Sequence, residues 1–135
     1  MKQLSLLITL LIAGVCVFGQ GRKTVKEHGI ASTTVEEYFI EEGMNEPVVE
    51  SFERFNEDGE VVELREYNKR GEVKKWEKYV FDEEGNLVEE IFLDPKGNIV
   101  STEKTIYKNG LKAEKHFYNN RNKLYKKKVY VYEYR

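Results

Sequence analysis

Between residues 52 and 125 one pattern of apolar and polar positions recurs. An apolar residue is followed by Asn or Asp, two further residues, a glycine, a polar residue and a second apolar residue. It runs Phe55-Asn56-Glu57-Asp58-Gly59-Glu60-Val61, Tyr67-Asn68-Lys69-Arg70-Gly71-Glu72-Val73, Phe81-Asp82-Glu83-Glu84-Gly85-Asn86-Leu87 and Leu93-Asp94-Pro95-Lys96-Gly97-Asn98-Ile99. A fifth copy, Tyr118 to Leu124, has Asn122 in place of glycine, and weaker copies precede the series at Val25 to Gly29 and Phe39 to Gly43. The phrase suits a three-residue hairpin loop. Asn or Asp bonds the backbone that follows it, Pro fits the second turn position, and glycine or Asn accepts the left-handed conformation that closes a type I turn. Tyr107-Lys108-Asn109-Gly110-Leu111 is one residue shorter, and its Asn-Gly predicts a two-residue type I′ turn. With glycine or its substitute every 12 to 14 residues from Gly59 to Asn122, helix is disfavoured. The expectation is an all-β fold: an antiparallel β-meander repeat sheet of about eight strands joined by short Gly/Asn turns.

These turns predict the cross-strand pairs Phe55 with Val61, Tyr67 with Val73, Phe81 with Leu87, Leu93 with Ile99 and Tyr118 with Leu124. The even spacings between successive turns keep all of them on one face. The other face would then carry an apolar stripe of Phe52, Leu64, Trp76, Phe92 and Val100, with Val80 opposite Val88 and Lys78 opposite Glu90 beside it. On the first face the same register would align Glu53, Glu63 and Glu77 across three strands and set Glu89 opposite Glu103. Carboxylates so placed either splay into water or meet a basic partner. No spaced Asp-rich loop supports a calcium site among them.

Location follows from the first residues. Lys2 precedes an apolar run from Leu4 to Phe18 that breaks at Gly19-Gln20-Gly21. The run is shorter than the roughly 20 residues a membrane span requires. It reads as a signal peptide over residues 1–19, followed by a single β-repeat domain over 20–135 and a periplasmic or secreted destination. Lipidation at Cys16 is the less favoured alternative, since Val15 before it is β-branched. If this lone cysteine leaves with the leader, no disulfide or thiolate chemistry remains.

Charge changes the picture more than composition does. The formal net charge of −2 hides a polar chain: residues 36–94 hold 20 acids against 7 bases, whereas residues 101–135 hold 3 acids against 10 bases. The basic end is patterned. Alternation through Lys126-Lys127-Lys128-Val129-Tyr130-Val131-Tyr132 would put Lys126, Lys128, Tyr130 and Tyr132 on one face. Such a strand suits anionic envelope glycans or lipid headgroups; nucleic acid is not expected as a partner of an exported protein. The structural alternative is that the lysines keep an exposed edge strand from pairing with its like.

Catalytic signals are missing. His28 and His116 stand outside any spaced metal motif, and the glycines belong to turns rather than to a phosphate loop or nucleophile elbow. We therefore expect no enzyme, no catalytic residue, no cofactor and no metal.

The repeats also carry a resemblance. Tyr67-Asn68-Lys69-Arg70-Gly71-Glu72-Val73-Lys74 and Tyr107-Lys108-Asn109-Gly110-Leu111-Lys112-Ala113-Glu114 resemble the Tyr-x-x-Gly-x-Leu/Val repeats of MORN-variant proteins, including YwqK-type antitoxins. Phe81 to Val88 is similar to the Tyr-Asp (YD) repeats of RHS proteins. The resemblance covers residues 52–125 and implies an antiparallel repeat sheet used as a binding or scaffold surface. The expectation is an exported protein-interaction module, with Glu53, Glu63, Glu77, Lys126, Lys128, Tyr130 and Tyr132 as partner-binding residues. The alternatives are an immunity or antitoxin-like protein that neutralises a toxin by contact, and an envelope glycan or lipid binder. A homodimer through the apolar face would be one way to cover the stripe.

Overall fold

The computed structural model describes residues 21–135; the expected leader, with Cys16, lies outside them. A short helix α1 (Arg22–His28) precedes eight strands: β1 (Ser32–Glu37), β2 (Val48–Phe55), β3 (Val61–Tyr67), β4 (Val73–Phe81), β5 (Leu87–Leu93), β6 (Ile99–Lys108), β7 (Leu111–Asn119) and β8 (Leu124–Val129). A 3₁₀ turn (Ile40–Glu42) lies between β1 and β2. The strands form one antiparallel sheet in chain order, β1 to β8. It is the expected meander. Each strand packs on its sequence neighbours, and among the described residues no second sheet covers either face.

Turn chemistry explains the spacing. In every full copy the first side chain of the loop accepts two backbone N–H bonds: Asn56 Oδ1 from Asp58 and Glu60 (3.1 and 3.0 Å), and Asp82 Oδ1 from Glu84 and Asn86 (3.0 and 2.8 Å). Asn68, Asp94 and Asn119 do the same. The residue after the glycine completes the loop with the complementary group. Asn56 and Asn68 donate to Glu60 and Glu72, while Asp82 and Asp94 accept from Asn86 and Asn98. Positive φ falls where the sequence requires it, at Gly85 (83°) and at the substitute Asn122 (57°), and both Asn109 (52°) and Gly110 (76°) take it in the type I′ turn.

The two weak copies behave differently. Val25–Gly29 is the end of α1, with Gly29 (φ 62°) as its left-handed cap, and Phe39–Gly43 holds the 3₁₀ turn. In both, the position that should carry Asn or Asp holds Lys26 or Ile40, so no side chain secures a hairpin loop. The glycine serves as a helix stop instead. His28 is the last residue of α1. Residues 22–50 do not fold back over the sheet: β1 extends it at the edge by pairing with β2.

All five predicted turn-flanking pairs are present. Beyond them the register departs from expectation. Phe55 faces Val61 but Arg54 faces Glu63, so Val62 has no opposite residue. The same one-residue bulge follows every later turn, leaving Lys74, Val88, Val100, Ala113 and Tyr125 unopposed. Each bulge exchanges the faces of the strand it begins. The turn pairs therefore alternate between faces, with Phe55, Phe81 and Tyr107 on one and Tyr67, Leu93 and Tyr118 on the other.

The single apolar stripe is thereby dissolved. Phe52 and Trp76 face Arg65, with Leu93 beyond Trp76; Leu64 lies between Glu53 and Glu77, and Phe92 between Glu77 and Ser101. Trp76 and Phe92 point to opposite sides of the sheet. Lys78 faces Ile91, Val80 faces Glu89, and Glu89 faces Lys104 rather than Glu103. The stripe through which a homodimer was expected is thus divided between the two sides of the sheet. Trp76 is half-buried rather than core, and the buried apolar side chains among the described residues are Val25, Phe55, Leu64 and Phe117.

Helix α1 closes the β2–β3 end. Val25 is 1% exposed near Phe55, Arg22 donates to the Asp58 carbonyl (3.1 Å) and pairs with Glu60 (3.2 Å), and Lys26 pairs with Asp58 (3.0 Å). A Cβ on Gly59 would lie 2.4 Å from the Arg22 carbonyl oxygen, whereas one on Gly71 would meet open space. Gly71→Ala should thus lose only the left-handed preference, about 1–2 kcal/mol. Gly59→Ala should lose more, because the helix must also move. Urea denaturation of the two variants checks this, and equal losses would show that α1 is not packed on that turn.

Candidate functional site

The bulges sort the charged residues onto two chemically distinct faces. On one, the Phe117 face, the row Thr33, Glu53, Leu64, Glu77, Phe92 and Ser101 runs from β1 to β6. Beside it run Tyr79, Glu90, Glu103, Phe117 and Lys126, and then Lys115 opposite Lys128. This face is acidic over β2–β6 and basic over β7–β8. Sequence reasoning placed Glu53, Glu77, Lys126 and Lys128 in two separate regions. The sheet brings all four to one side.

Each charge is held by a definite neighbour. Glu90 and Glu103 stand directly opposed, a destabilising pair that Lys115 neutralises by reaching both, at 3.2 and 2.6 Å. Burial works to lower the Lys115 pKa, but the two carboxylates outweigh it and hold the ammonium above its usual range. The Tyr79 hydroxyl donates to Glu77, and burial, then this carboxylate, raise the phenol well above its ordinary value. Lys75 also pairs with Glu77 (3.5 Å). Glu53 is only 4% exposed, and burial raises its carboxyl. At the basic end the ammonium groups of Lys126, Lys128 and Lys115 stand 4.1, 5.4 and 5.5 Å from the centre of the buried Phe117 ring. Lys115 is engaged by carboxylates; Lys126 and Lys128 remain exposed.

Glu63 does not join them. It lies on the Trp76 face, where it accepts bonds from Arg54 Nε (3.2 Å), Arg65 Nε and Nη2 (2.9 and 2.5 Å) and Trp76 Nε1 (3.0 Å). The Arg65 guanidinium lies 4.1 Å from the Trp76 ring centre and 5.8 Å from that of Phe52. Burial opposes ionisation of Glu63, yet these donors prevail and lower its pKa. Buried and held by these four bonds, Glu63 ties β2, β3 and β4 together. The expected row of Glu53, Glu63 and Glu77 is thereby corrected.

The tail is corrected as well. Strand β8 ends at Val129, so the alternation does not reach Tyr132. Tyr130 continues the pairing by one residue through its N–H to the Ala113 carbonyl (3.0 Å) and is half-buried, and the Tyr132 hydroxyl is bound to the Lys112 carbonyl (2.7 Å). Tyr79 and Lys115 were not singled out from sequence, and Glu90 and Glu103 were expected opposite Lys78 and Glu89; the bulges instead set Glu90 opposite Glu103 on the face shared with Lys126. His116, in β7 as expected, lies 2.7 Å from Glu114. Among the described residues no three His, Asp or Glu side chains are grouped to hold a metal ion. No protein-family model and no characterised protein matches the chain.

Two of the buried glutamates, Glu63 and Glu53, titrate with opposite consequences. Glu63, with a lowered folded pKa, adds stability that is complete above the unfolded value of 4.5 and is lost as pH falls through the folded one. Glu53, with a raised folded pKa, carries a penalty that is complete above that raised value and is relieved as pH falls to 4.5. Glu63→Gln should therefore destabilise the protein by about 1–3 kcal/mol at pH 7, the range for charge-assisted hydrogen bonds. Glu53→Gln should stabilise it. Both differences should shrink on acidification, and chemical denaturation at pH 7 and pH 4 measures them.

Proposed function

We propose that the chain is an exported β-hairpin repeat protein that acts as a protein-interaction module, docking its partner on the Phe117 face. Residues 1–19 would be its leader and 20–135 its one domain, in the periplasm or outside the cell. The observation that carries this reading is the joining, on one side of a single-layer sheet, of an acidic zone around Glu77 and an exposed basic pair, Lys126 and Lys128, seated on Phe117. A partner with a basic patch set beside an acidic one would match both zones in a single orientation, and a partner of uniform charge would meet repulsion at one of them. This fits a specific protein surface better than a polyanion. Capture of a toxin in the manner of an immunity protein is the form that the resemblance to YwqK-type repeats favours.

A second reading rests on Lys126 and Lys128 alone, whose ammonium groups are not taken up by carboxylates in the way that Lys115 is. These two would hold an anionic glycan or lipid headgroup. Affinity capture from envelope extract, run at low and high salt, separates the readings when repeated with Lys126→Glu/Lys128→Glu and with Glu77→Lys. A stoichiometric protein lost in both variants supports the docking face. Retention on anionic vesicles or polyanionic glycan, lost only in the lysine variant, supports the second reading and overturns the first. Capture that neither variant alters overturns both.

A further inference from the structure

The sheet has two free edges, and they differ in charge. Strand β1 runs out of Ser32 into Glu36 and Glu37, and residues 36–50 hold six acids and no base. Strand β8 carries Lys126, Lys127 and Lys128, all exposed. Neither edge is covered by the described residues. The segment after β1 turns inward to the β3–β4 turn, where Glu42 pairs with Lys69 (2.8 Å) and Lys69 lies 4.2 Å from the centre of the Phe39 ring. Helix α1 sits on the β2–β3 turn.

Backbone directions at the two edges are fixed by two hydrogen bonds. Phe55 N–H donates to the Ala31 carbonyl, so Ala31, Thr33 and Val35 turn their peptide groups toward β2 and Ser32, Thr34 and Glu36 turn theirs outward. Tyr130 N–H donates to the Ala113 carbonyl, so Lys126, Lys128 and Tyr130 face β7 and Lys127 and Val129 face outward. An antiparallel join must match outward groups with outward groups and keep each face continuous. Strand β1 and strand β8 run in opposite directions within one molecule, so a translated copy presents its β1 to β8 in the antiparallel sense. Registers that meet these conditions differ by two residues, and one of them sets two pairs of opposite charge across the join. It places Lys127 opposite Glu36, Lys126 opposite Glu37 and Val129 opposite Thr34.

We propose that this protein associates head to tail with further copies of itself, β8 of one molecule adding to β1 of the next to continue the meander across the join. The lysines then have two effects. They oppose pairing of β8 with another β8, where like charges would meet, and they favour the acidic β1 edge. Because the two surfaces differ, the contact is heterologous and open-ended, giving short linear chains rather than a closed dimer. The join is small, about four backbone hydrogen bonds, from the Thr34/Val129 and Glu36/Lys127 pairs, so association is weak and screened by salt.

Sedimentation velocity of the purified protein over a concentration series tests this, at about 20 mM and about 500 mM salt. The expected result at low salt is an average mass that rises with concentration past two copies and falls back at high salt. Lys126→Glu/Lys127→Glu and Glu36→Lys/Glu37→Lys should each weaken association about tenfold or more, and an equimolar mixture of the two should recover it, since every join then meets opposite charge. Thr34→Pro removes an outward N–H without touching the β1–β2 ladder and should weaken association with all charges in place. Circular dichroism confirms that each variant is folded. A monomer at all concentrations, a mass that stops at two, or association unchanged by the Thr34→Pro variant would overturn the proposal.

Discussion

Everything in this sheet depends on the extra residue that follows each hairpin loop. The loop itself is held by the Asn or Asp side chain bonding two N–H groups and by glycine in the left-handed region. Immediately after it, the incoming strand takes one residue more than its partner, at Val62, Lys74, Val88, Val100, Ala113 and Tyr125. A single bulge bends a strand and increases its twist. Six in succession give every hairpin the same distortion, so their effects accumulate across the sheet. They also decide which side chains meet. Without them Leu64 would stand beside Trp76; with them it stands between Glu53 and Glu77.

This divides what could be read from sequence from what could not. The loops were legible because Asn56, Gly59 and their counterparts answer to local backbone angles, and a local rule is written in adjacent letters. Strand number, antiparallel order and the pairs next to each turn follow from that rule, and Phe55 with Val61 or Tyr118 with Leu124 stand where it puts them. The bulge has no residue of its own. Val62, Lys74 and Ala113 share no side-chain property, so nothing in the letters announces that one residue is to be skipped. Since register has a period of two, that omission misplaces every side chain between one turn and the next. Glu63 shows the consequence. It belongs to an Arg54, Arg65 and Trp76 cluster on the opposite face from Glu53 and Glu77.

A sheet without a second layer cannot bury a continuous hydrophobic core, and the composition of its faces reflects this. The largest apolar surfaces are covered by charged side chains that lie across them: Arg65 on Trp76, and Lys126 and Lys128 around Phe117. The long aliphatic stems of Lys and Arg shield rings from water while their charged ends stay hydrated or paired. Carboxylates then follow from the cations, as Glu63 does from Arg65, and Glu90 and Glu103 do from Lys115. Much of the charge in this chain is therefore structural, and the groups left for a partner are the smaller set whose charge is not already answered within the sheet.

The same economy bears on stability along the chain. Backbone pairing joins each strand only to its neighbours in the chain, so the molecule behaves as a one-dimensional array in which the ends are its weakest units. The first end is secured by α1, whose Val25 packs under the β2–β3 loop and whose Arg22 and Lys26 pair with Glu60 and Asp58. The last end has no such cap. All of β8 is exposed, and beyond it the chain is held by the Tyr130 amide on Ala113 and the Tyr132 hydroxyl on Lys112. An uncapped end of a repeat array gains more from an added neighbour than a capped one does, because the added strand supplies the interface the last repeat lacks. The asymmetry between an acidic start, braced at the β2–β3 turn by α1 but open along β1, and an unbraced basic finish thus gives the sheet a direction.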